Sequence, residues 1–148
     1  MPTPIVIDFS DLGTSGQVDI PATYKGFNWT GYGLDETFTG SATAIPAAKA
    51  ISGVGFQMTA VTNSSFDLSS ISISRDGGAG QLDITVKAKT LTAQGLTDVA
   101  SFVVRSPNSD SPTAGVFNLM LKNIHQLQIY SNAMDTFDTY AINVILND

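Results

Sequence analysis

Cysteine is absent from the 148-residue chain, which also contains one His, one Glu and one Trp. Without Cys there is no disulfide, no reactive thiol and no Cys-ligated zinc site, and the compartment is not fixed by redox chemistry. A chain of this length can bury enough apolar surface to fold without such cross-links. No Pro/Gly/Ser-rich linker separates two hydrophobic patterns, so the sequence predicts one domain over residues 1–148.

Charge is sparse and acidic, with 7 Lys and Arg against 13 Asp and Glu and a net charge of -6. The few cations are scattered along the chain, whereas a phosphate-binding surface needs them clustered. The sequence therefore disfavours nucleic acid and anionic membranes as partners. Apolar runs are too short for a membrane helix, and the first residues lack the basic and apolar regions of a signal peptide.

Catalytic signatures are missing as well. His125 lies between Ile124 and Leu127 with no G-x-S-x-G elbow before it, which favours a structural role. Glycoside hydrolysis needs two cooperating carboxylates, but Glu36 is the only Glu, and its neighbour Asp35 points to the opposite side in an extended segment. We predict that the protein is not an enzyme.

Apolar residues alternate with polar ones along most of the chain, which is typical of half-buried β-strands. The clearest case is 82–89, which predicts one face formed by Leu82, Ile84, Val86 and Ala88 and the other by Asp83, Thr85, Lys87 and Lys89. The glycine-rich stretch 76–80 predicts a turn that pairs this strand with 66–74 as a hairpin. Residues 18–21 are expected at an edge or in a loop, and 37–49 in a loop.

About nine short strands at regular spacing, without a convincing helix, indicate an all-β fold. The predicted extended segments are 5–9, 24–33, 53–61, 66–74, 82–89, 100–105, 116–121, 127–130 and 140–146. We predict a two-sheet antiparallel β-sandwich of the jelly-roll type.

Large aromatics concentrate between residues 24 and 33. Sugar-binding sites stack a pyranose on Trp or Tyr and bind its hydroxyls with polar groups, a mixture that this segment supplies. The candidate ligand-binding residues are Trp29, Tyr32, Asn28, Asp35, Tyr24 and Lys25. The other interpretation is that Trp29 packs between the sheets, as a single Trp in a sandwich often does, and that Tyr32, between two glycines, makes the contact.

The order of several segments resembles the jelly-roll, carbohydrate-binding-module-like domains of secreted bacterial and fungal proteins, which include small fungal elicitor-like proteins. The resemblance is carried by IVIDFSDL at 5–12, YKGFNW at 24–29, and the strands at 66–68, 82–86 and 137–144. It implies a non-catalytic, lectin-like role in carbohydrate binding and a secreted, extracellular location. The alternative that it implies is an elicitor or effector recognised by a host receptor protein.

The same resemblance implies a structural calcium ion where the first and last strands meet. Its ligands would be Asp8, Asp11 and Asn143, together with Asp138, and their oxygens suit Ca²⁺. The chain departs from the family pattern here, since Asn143 and Val144 stand where two adjacent acids are expected. The other interpretation is that these acids cap turns or lie in a solvated loop.

Long Ser/Thr/Val strands with few charges also leave sheet edges poorly guarded, which favours self-assembly as a third, weaker hypothesis. We expect a monomer or a weak homo-oligomer.

Overall fold

The computed structural model describes residues 3–33, 35–75, 82–106 and 115–147 of the chain. Thirteen strands within these residues form two antiparallel sheets, joined by turns and three short 3-10 helices. The strands are β1 (Thr3–Ile7), β2 (Val18–Asp19), β3 (Thr23–Tyr24), β4 (Phe27–Gly31), β5 (Thr43–Ile45), β6 (Ala50–Gly53), β7 (Gly55–Ala60), β8 (Phe66–Arg75), β9 (Leu82–Thr92), β10 (Gly95–Ser106), β11 (Val116–Ile124), β12 (Gln126–Ser131) and β13 (Phe137–Leu146). The 3-10 helices span Ser10–Leu12, Pro46–Ala48 and Val61–Asn63. None of the described helices has the length and apolar content needed to cross a bilayer.

The two sheets have simple strand orders. The strand order in sheet A is β11-β8-β13-β6-β5-β2. β1 also pairs with β13, along the second half of that strand, whereas β6 pairs with its first half. Sheet B runs β10-β9-β12-β7-β4-β3. Side chains on the inner faces of both sheets form one continuous hydrophobic core, as in a β-sandwich.

The last eight strands have jelly-roll connectivity. The order β6-β13-β8-β11 in sheet A faces β7-β12-β9-β10 in sheet B. Successive strands therefore cross from one sheet to the other, except at the β9–β10 hairpin, which gives the two interleaved Greek keys of a jelly roll. The predicted all-β two-sheet sandwich is confirmed.

Period-two alternation holds in β9, because successive side chains of a strand point to opposite faces. The four apolar side chains of 82–88 are buried and the polar ones between them are half-exposed. The predicted inner and outer faces of this strand are confirmed.

The predicted hairpin between 66–74 and 82–89 is wrong. β8 pairs with β11 and β13 in sheet A, whereas β9 pairs with β10 and β12 in sheet B. Alternation fixes which face of a strand is buried but not which strand lies beside it, and two half-buried strands satisfy the pattern equally well in opposite sheets. The turn predicted at 76–80 lies outside the described residues.

Short strands are the elements that the pattern did not reveal. The stretch 37–49, predicted as a loop, contains β5, and β6 follows it directly. Both are short and rich in small residues, so they show too little alternation to be recognised, although β6 pairs with the central strand β13. The segment 18–21 was expected at an edge, and β2 forms the end of sheet A.

Aromatic rings join the two sheets. Phe27 of sheet B meets Phe66 of sheet A edge to face, with ring centroids 4.9 Å apart. Trp29 packs at 5.5 Å on Phe9 and at 6.0 Å on Phe56. Such offset and edge-to-face contacts are the preferred geometries for aromatic pairs, so this cluster fixes how the sheets pack.

One hydroxyl faces this core without a partner. Thr139 of β13 is fully buried between Ile73 and Ile51, its neighbours in sheet A, and within the described part of the chain its Oγ1 makes no hydrogen bond. A buried hydroxyl without a hydrogen-bond partner destabilises the folded state, because the group gives up its hydrogen bonds to water on folding and gains none in return.

Thr139→Val should therefore stabilise the protein, because it keeps the side-chain shape and removes the unpaired hydroxyl. We expect the free energy of unfolding to rise by about 1 kcal/mol in urea denaturation. Thr59→Val is the matched control, since the Thr59 hydroxyl accepts a hydrogen bond of 3.0 Å from Gln126. That variant should lose stability, and equal effects of the two substitutions would contradict the interpretation.

Candidate functional site

Trp29 belongs to the core. Its side chain is 3% exposed, and its indole N–H donates a hydrogen bond of 2.8 Å to the backbone carbonyl of Tyr24. With Phe9 and Phe27 packed against it, neither indole face is open to a sugar ring. The structure thus matches the interpretation in which Trp29 packs between the sheets.

Tyr24 and Lys25 are engaged with Asp11. The Tyr24 hydroxyl donates a hydrogen bond to the Asp11 carboxylate, and the Lys25 ammonium lies 3.2 Å from the same group. The hydrogen bond from Tyr24 is the main reason that the pKa of Asp11 falls below its usual range. Partial burial and then the bond to Asp11 raise the pKa of Tyr24. These contacts hold the β3–β4 turn against the first 3-10 helix.

Asn28 and Asp35 are exposed, and each is held by a different threonine. Asn28 is on the outer face of sheet B, where its side-chain carbonyl accepts a hydrogen bond of 2.8 Å from Thr23. It lies four residues before Tyr32, about 13 Å along an extended strand. Asp35 accepts hydrogen bonds from the backbone N–H and the hydroxyl of Thr37, at 3.3 and 2.8 Å, and so shapes the loop after Tyr32.

Three half-buried rings form an aromatic patch, defined here as Tyr32, Phe38 and Tyr130. Tyr32 stacks on Tyr130 with centroids 4.9 Å apart and planes inclined by 25°. Phe38 lies 4.7 Å from Tyr32 and 6.0 Å from Tyr130. The patch joins residues from two distant parts of the sequence on one surface.

The strand geometry of sheet B explains this position. Tyr130 alternates on β12 with the buried Ile129 and therefore points to the outer face. It pairs with Gly55 of β7, where an added Cβ would lie 2.7 Å from the Tyr130 Cβ. The Tyr32 N–H donates a hydrogen bond of 3.0 Å to the Gly55 carbonyl. Because Gly55 has no side chain, the two tyrosine rings can meet above it.

Amide and ammonium groups lie in the row beside the patch. Gln128 pairs with Gln57 on one side and Lys87 on the other, and its amide donates a hydrogen bond of 2.7 Å to Gln57. The Lys87 ammonium is 6.0 Å from the centre of the Tyr130 ring. Thr85 is directly opposite Tyr130. The outer face of sheet B thus combines aromatic surface with donors and acceptors, a mixture suited to a polyhydroxylated ligand.

The Tyr32 hydroxyl keeps its proton. Partial burial is the main cause that raises its pKa, and the negative charge of Glu36 adds to it. Tyr32 is therefore available as a hydrogen-bond donor at neutral pH.

No family model matches the chain, and no curated protein matches it. The family resemblance drawn from the short motifs stays a prediction, and the fold alone does not imply a function.

Asp8 and Asp11, the first two proposed calcium ligands, hold nearby turns. The Asp8 carboxylate accepts hydrogen bonds from the hydroxyl and the backbone N–H of Ser10, at 2.8 and 3.1 Å, and these lower its pKa. Asp11 is engaged by Tyr24 and Lys25, as described above. Both acids thus make local contacts at the first 3-10 helix.

Asn143 and Asp138, the other two proposed ligands, are on β13 but separated. The Asn143 amide donates hydrogen bonds of 3.1 Å to the Ser70 hydroxyl and the Ala141 carbonyl. Asp138 is buried five residues earlier, where it accepts a hydrogen bond of 3.3 Å from the Tyr140 hydroxyl. No group of three or more acidic or His side chains in the described residues is placed to hold a metal. The calcium site at these four residues stays a prediction.

The sequence pattern did not indicate Phe38, Tyr130, Gln57, Gln128 or Lys87 as site residues. Only Tyr32 of the candidates lies in the patch, with Asp35 in the adjoining loop. The available signal was alternation, which places Tyr130 on the face opposite to the buried Ile129, but nothing in the sequence indicated that Tyr32 would lie against it.

Removal of the Tyr24 hydroxyl should raise the pKa of Asp11. A carboxylate whose pKa is lowered in the folded state favours folding above its ordinary pKa, and this contribution is lost as the pH falls through the lowered value. In Tyr24→Phe we expect the Asp11 pKa, followed by NMR titration of the carboxyl carbon, to move up toward the ordinary value. Asp8 is the internal control, since hydrogen bonds from Ser10 are the main cause of its lowered pKa, which should change less than that of Asp11.

Proposed function

We propose that the protein is a non-catalytic carbohydrate-binding module and that its site is the outer face of sheet B around the aromatic patch. The observation that carries this proposal is the stacked pair Tyr32 and Tyr130, half-exposed beside the Gln57–Gln128 amide pair. A sugar presents an apolar ring face and a rim of hydroxyls, and the two kinds of group on this face complement both.

The patch supplies the stacking surface in this proposal. Tyrosine combines an apolar ring with a polar tip, which suits a partly wet site. Phe38 widens the apolar area, and Tyr32, Gln128 and Lys87 provide hydrogen-bond donors within reach of a ring bound at the patch. A secreted location is part of the same proposal.

His125 and Asp35 already make hydrogen bonds within the fold, which supports a binding role over a catalytic one. The His125 ring nitrogen Nδ1 accepts a hydrogen bond of 3.1 Å from the backbone N–H of Leu91. Asp35 is held by Thr37 in its own loop. The Thr90 hydroxyl lies 3.2 Å from the same His125 nitrogen, which already accepts the hydrogen bond from Leu91.

Substitution of Tyr32 or Tyr130 by Ala tests the site. Titration calorimetry against a panel of soluble glycans (β-glucan, xylan, mannan and chito-oligosaccharides) should identify one that binds the unmodified protein. Each substitution should weaken that binding by about tenfold or more, because central aromatics carry much of the energy of an interface.

Phe117→Ala is the matched control for these variants. It removes a half-buried ring from β11 in sheet A, away from the patch, and should leave glycan affinity unchanged. Failure of every glycan to bind the folded protein, or equal loss in all three variants, would overturn the sugar site.

The same variants distinguish the sugar-binding proposal from the alternative prediction, an elicitor or effector recognised by a host receptor. A receptor-dependent response that survives both Tyr32→Ala and Tyr130→Ala in folded protein would favour a protein partner over sugar stacking.

A further inference from the structure

β10 is the one long sheet edge that runs in regular register within the described residues. It forms the end of sheet B, where β9 is its only partner among the described strands. From Ala100 to Ser106 the β9–β10 register is unbroken, and this stretch contains neither Pro nor Lys. Edge strands of this kind offer a row of free backbone groups to another strand, and natural proteins usually guard them.

The other described edges are guarded. β1, which pairs only with β13 among the described strands, has five residues and contains Pro4, and Pro on an edge opposes pairing. β2 and β3, at the far ends of the two sheets, have two residues each, and very short edge strands resist pairing. β11, at the edge of sheet A, breaks register twice and has Met120 and Asn123 at φ 53°. Bulges of this kind bend an edge away from a potential partner.

The side chains of β10 leave apolar surface exposed as well. Val99 and Val103 are each 55% exposed. On the inner face, Phe102 and Val104 are only half-buried at the rim of the core. A strand added to this edge would cover both sets of side chains.

We propose that β10 pairs antiparallel with β10 of a second copy of this chain, with a two-fold axis at Phe102. The charges on the edge select this register. Arg105 and Asp98 both lie on the outer face of sheet B, since Arg105 pairs with Asp83 at 2.9 Å and Asp98 with Lys89 at 3.7 Å. The β10 edge therefore carries a positive charge at Arg105, three residues after Phe102, and a negative charge at Asp98, four residues before it.

The self-pairing is complementary along its whole length. With Phe102 opposite Phe102 of the second copy, Ser101 faces Val103 and Ala100 faces Val104. The bulge between Asp98 and Ala100 then brings Asp98 opposite Arg105, so opposite charges meet at both ends. Cross-strand aromatic and ion pairs of this kind stabilise antiparallel strands. A shift of the axis by one residue separates the two charges.

The dimer would join the two copies of sheet B into one continuous sheet. The two-fold axis is perpendicular to that sheet, so both aromatic patches face the same side. Five strand spacings separate β12 from its counterpart, which places the two patches about 24 Å apart. The dimer does not depend on what the patches bind.

Sedimentation equilibrium over a wide concentration range tests the proposal. The unmodified protein should show a reversible monomer–dimer equilibrium, and Val103→Lys should weaken it by about tenfold, because a Lys on an edge strand opposes pairing. Val6→Lys is the matched control, since Val6 is 58% exposed on β1 of the other sheet. A monomer at every concentration, or equal effects of the two substitutions, would overturn the proposal.

A charge exchange tests the register without touching the apolar residues. Asp98→Arg and Arg105→Asp should each weaken the dimer. The double variant should dimerise better than either single variant, since the two interchain pairs re-form with reversed sign, although Asp83 and Lys89 of the same chain then face like charges. Circular dichroism checks that each variant is folded. A dimer that the single substitutions leave intact, or a double variant that dimerises no better than the single variants, would overturn the register centred on Phe102.

Discussion

Edge-to-face contact between Phe27 and Phe66 is the interaction on which the sandwich depends, because each ring comes from a different sheet. Trp29 extends this contact along β4 toward Phe9, and its indole N–H is satisfied by a backbone carbonyl. A buried Trp without such a partner would cost free energy. The core can therefore hold the largest side chain of the protein, and the sheets are fixed relative to each other around it.

The inward position of Trp29 determines which rings of this segment a ligand could contact. Phe27 and Trp29 point inward and Asn28 outward, because alternate residues of β4 occupy opposite faces. After Gly31 the chain leaves the strand, and Tyr32 emerges over Gly55 on the outside of sheet B. One short aromatic segment thus supplies both the centre of the core and the first ring of the surface patch.

Sequence patterns predicted the faces of strands better than their neighbours. Alternation was sufficient to assign the inward side of β9, since burial of one face is a local property. In β4 it placed Phe27 and Trp29 on one side and Asn28 on the other, but it did not show which side faces the core. The partner of a strand depends on the whole topology, so the supposed β8–β9 hairpin proved to be a crossing between sheets. The patch escaped prediction for the same reason: Tyr32 and Tyr130 are nearly a hundred residues apart, and only the order of strands in sheet B brings them together.

Sheet A is completed by its last strand. β13 lies between β8 on one side and β6 and β1 on the other, yet it follows all of them in the sequence. During synthesis, β8 and β6 must wait without their shared neighbour until β13 leaves the ribosome. Pairings of such long range form slowly, and unpaired strands are prone to aggregate in the meantime. Sheet A therefore cannot be completed before β13 has been synthesised, and the yield of folding depends on how well the nascent chain is shielded until then.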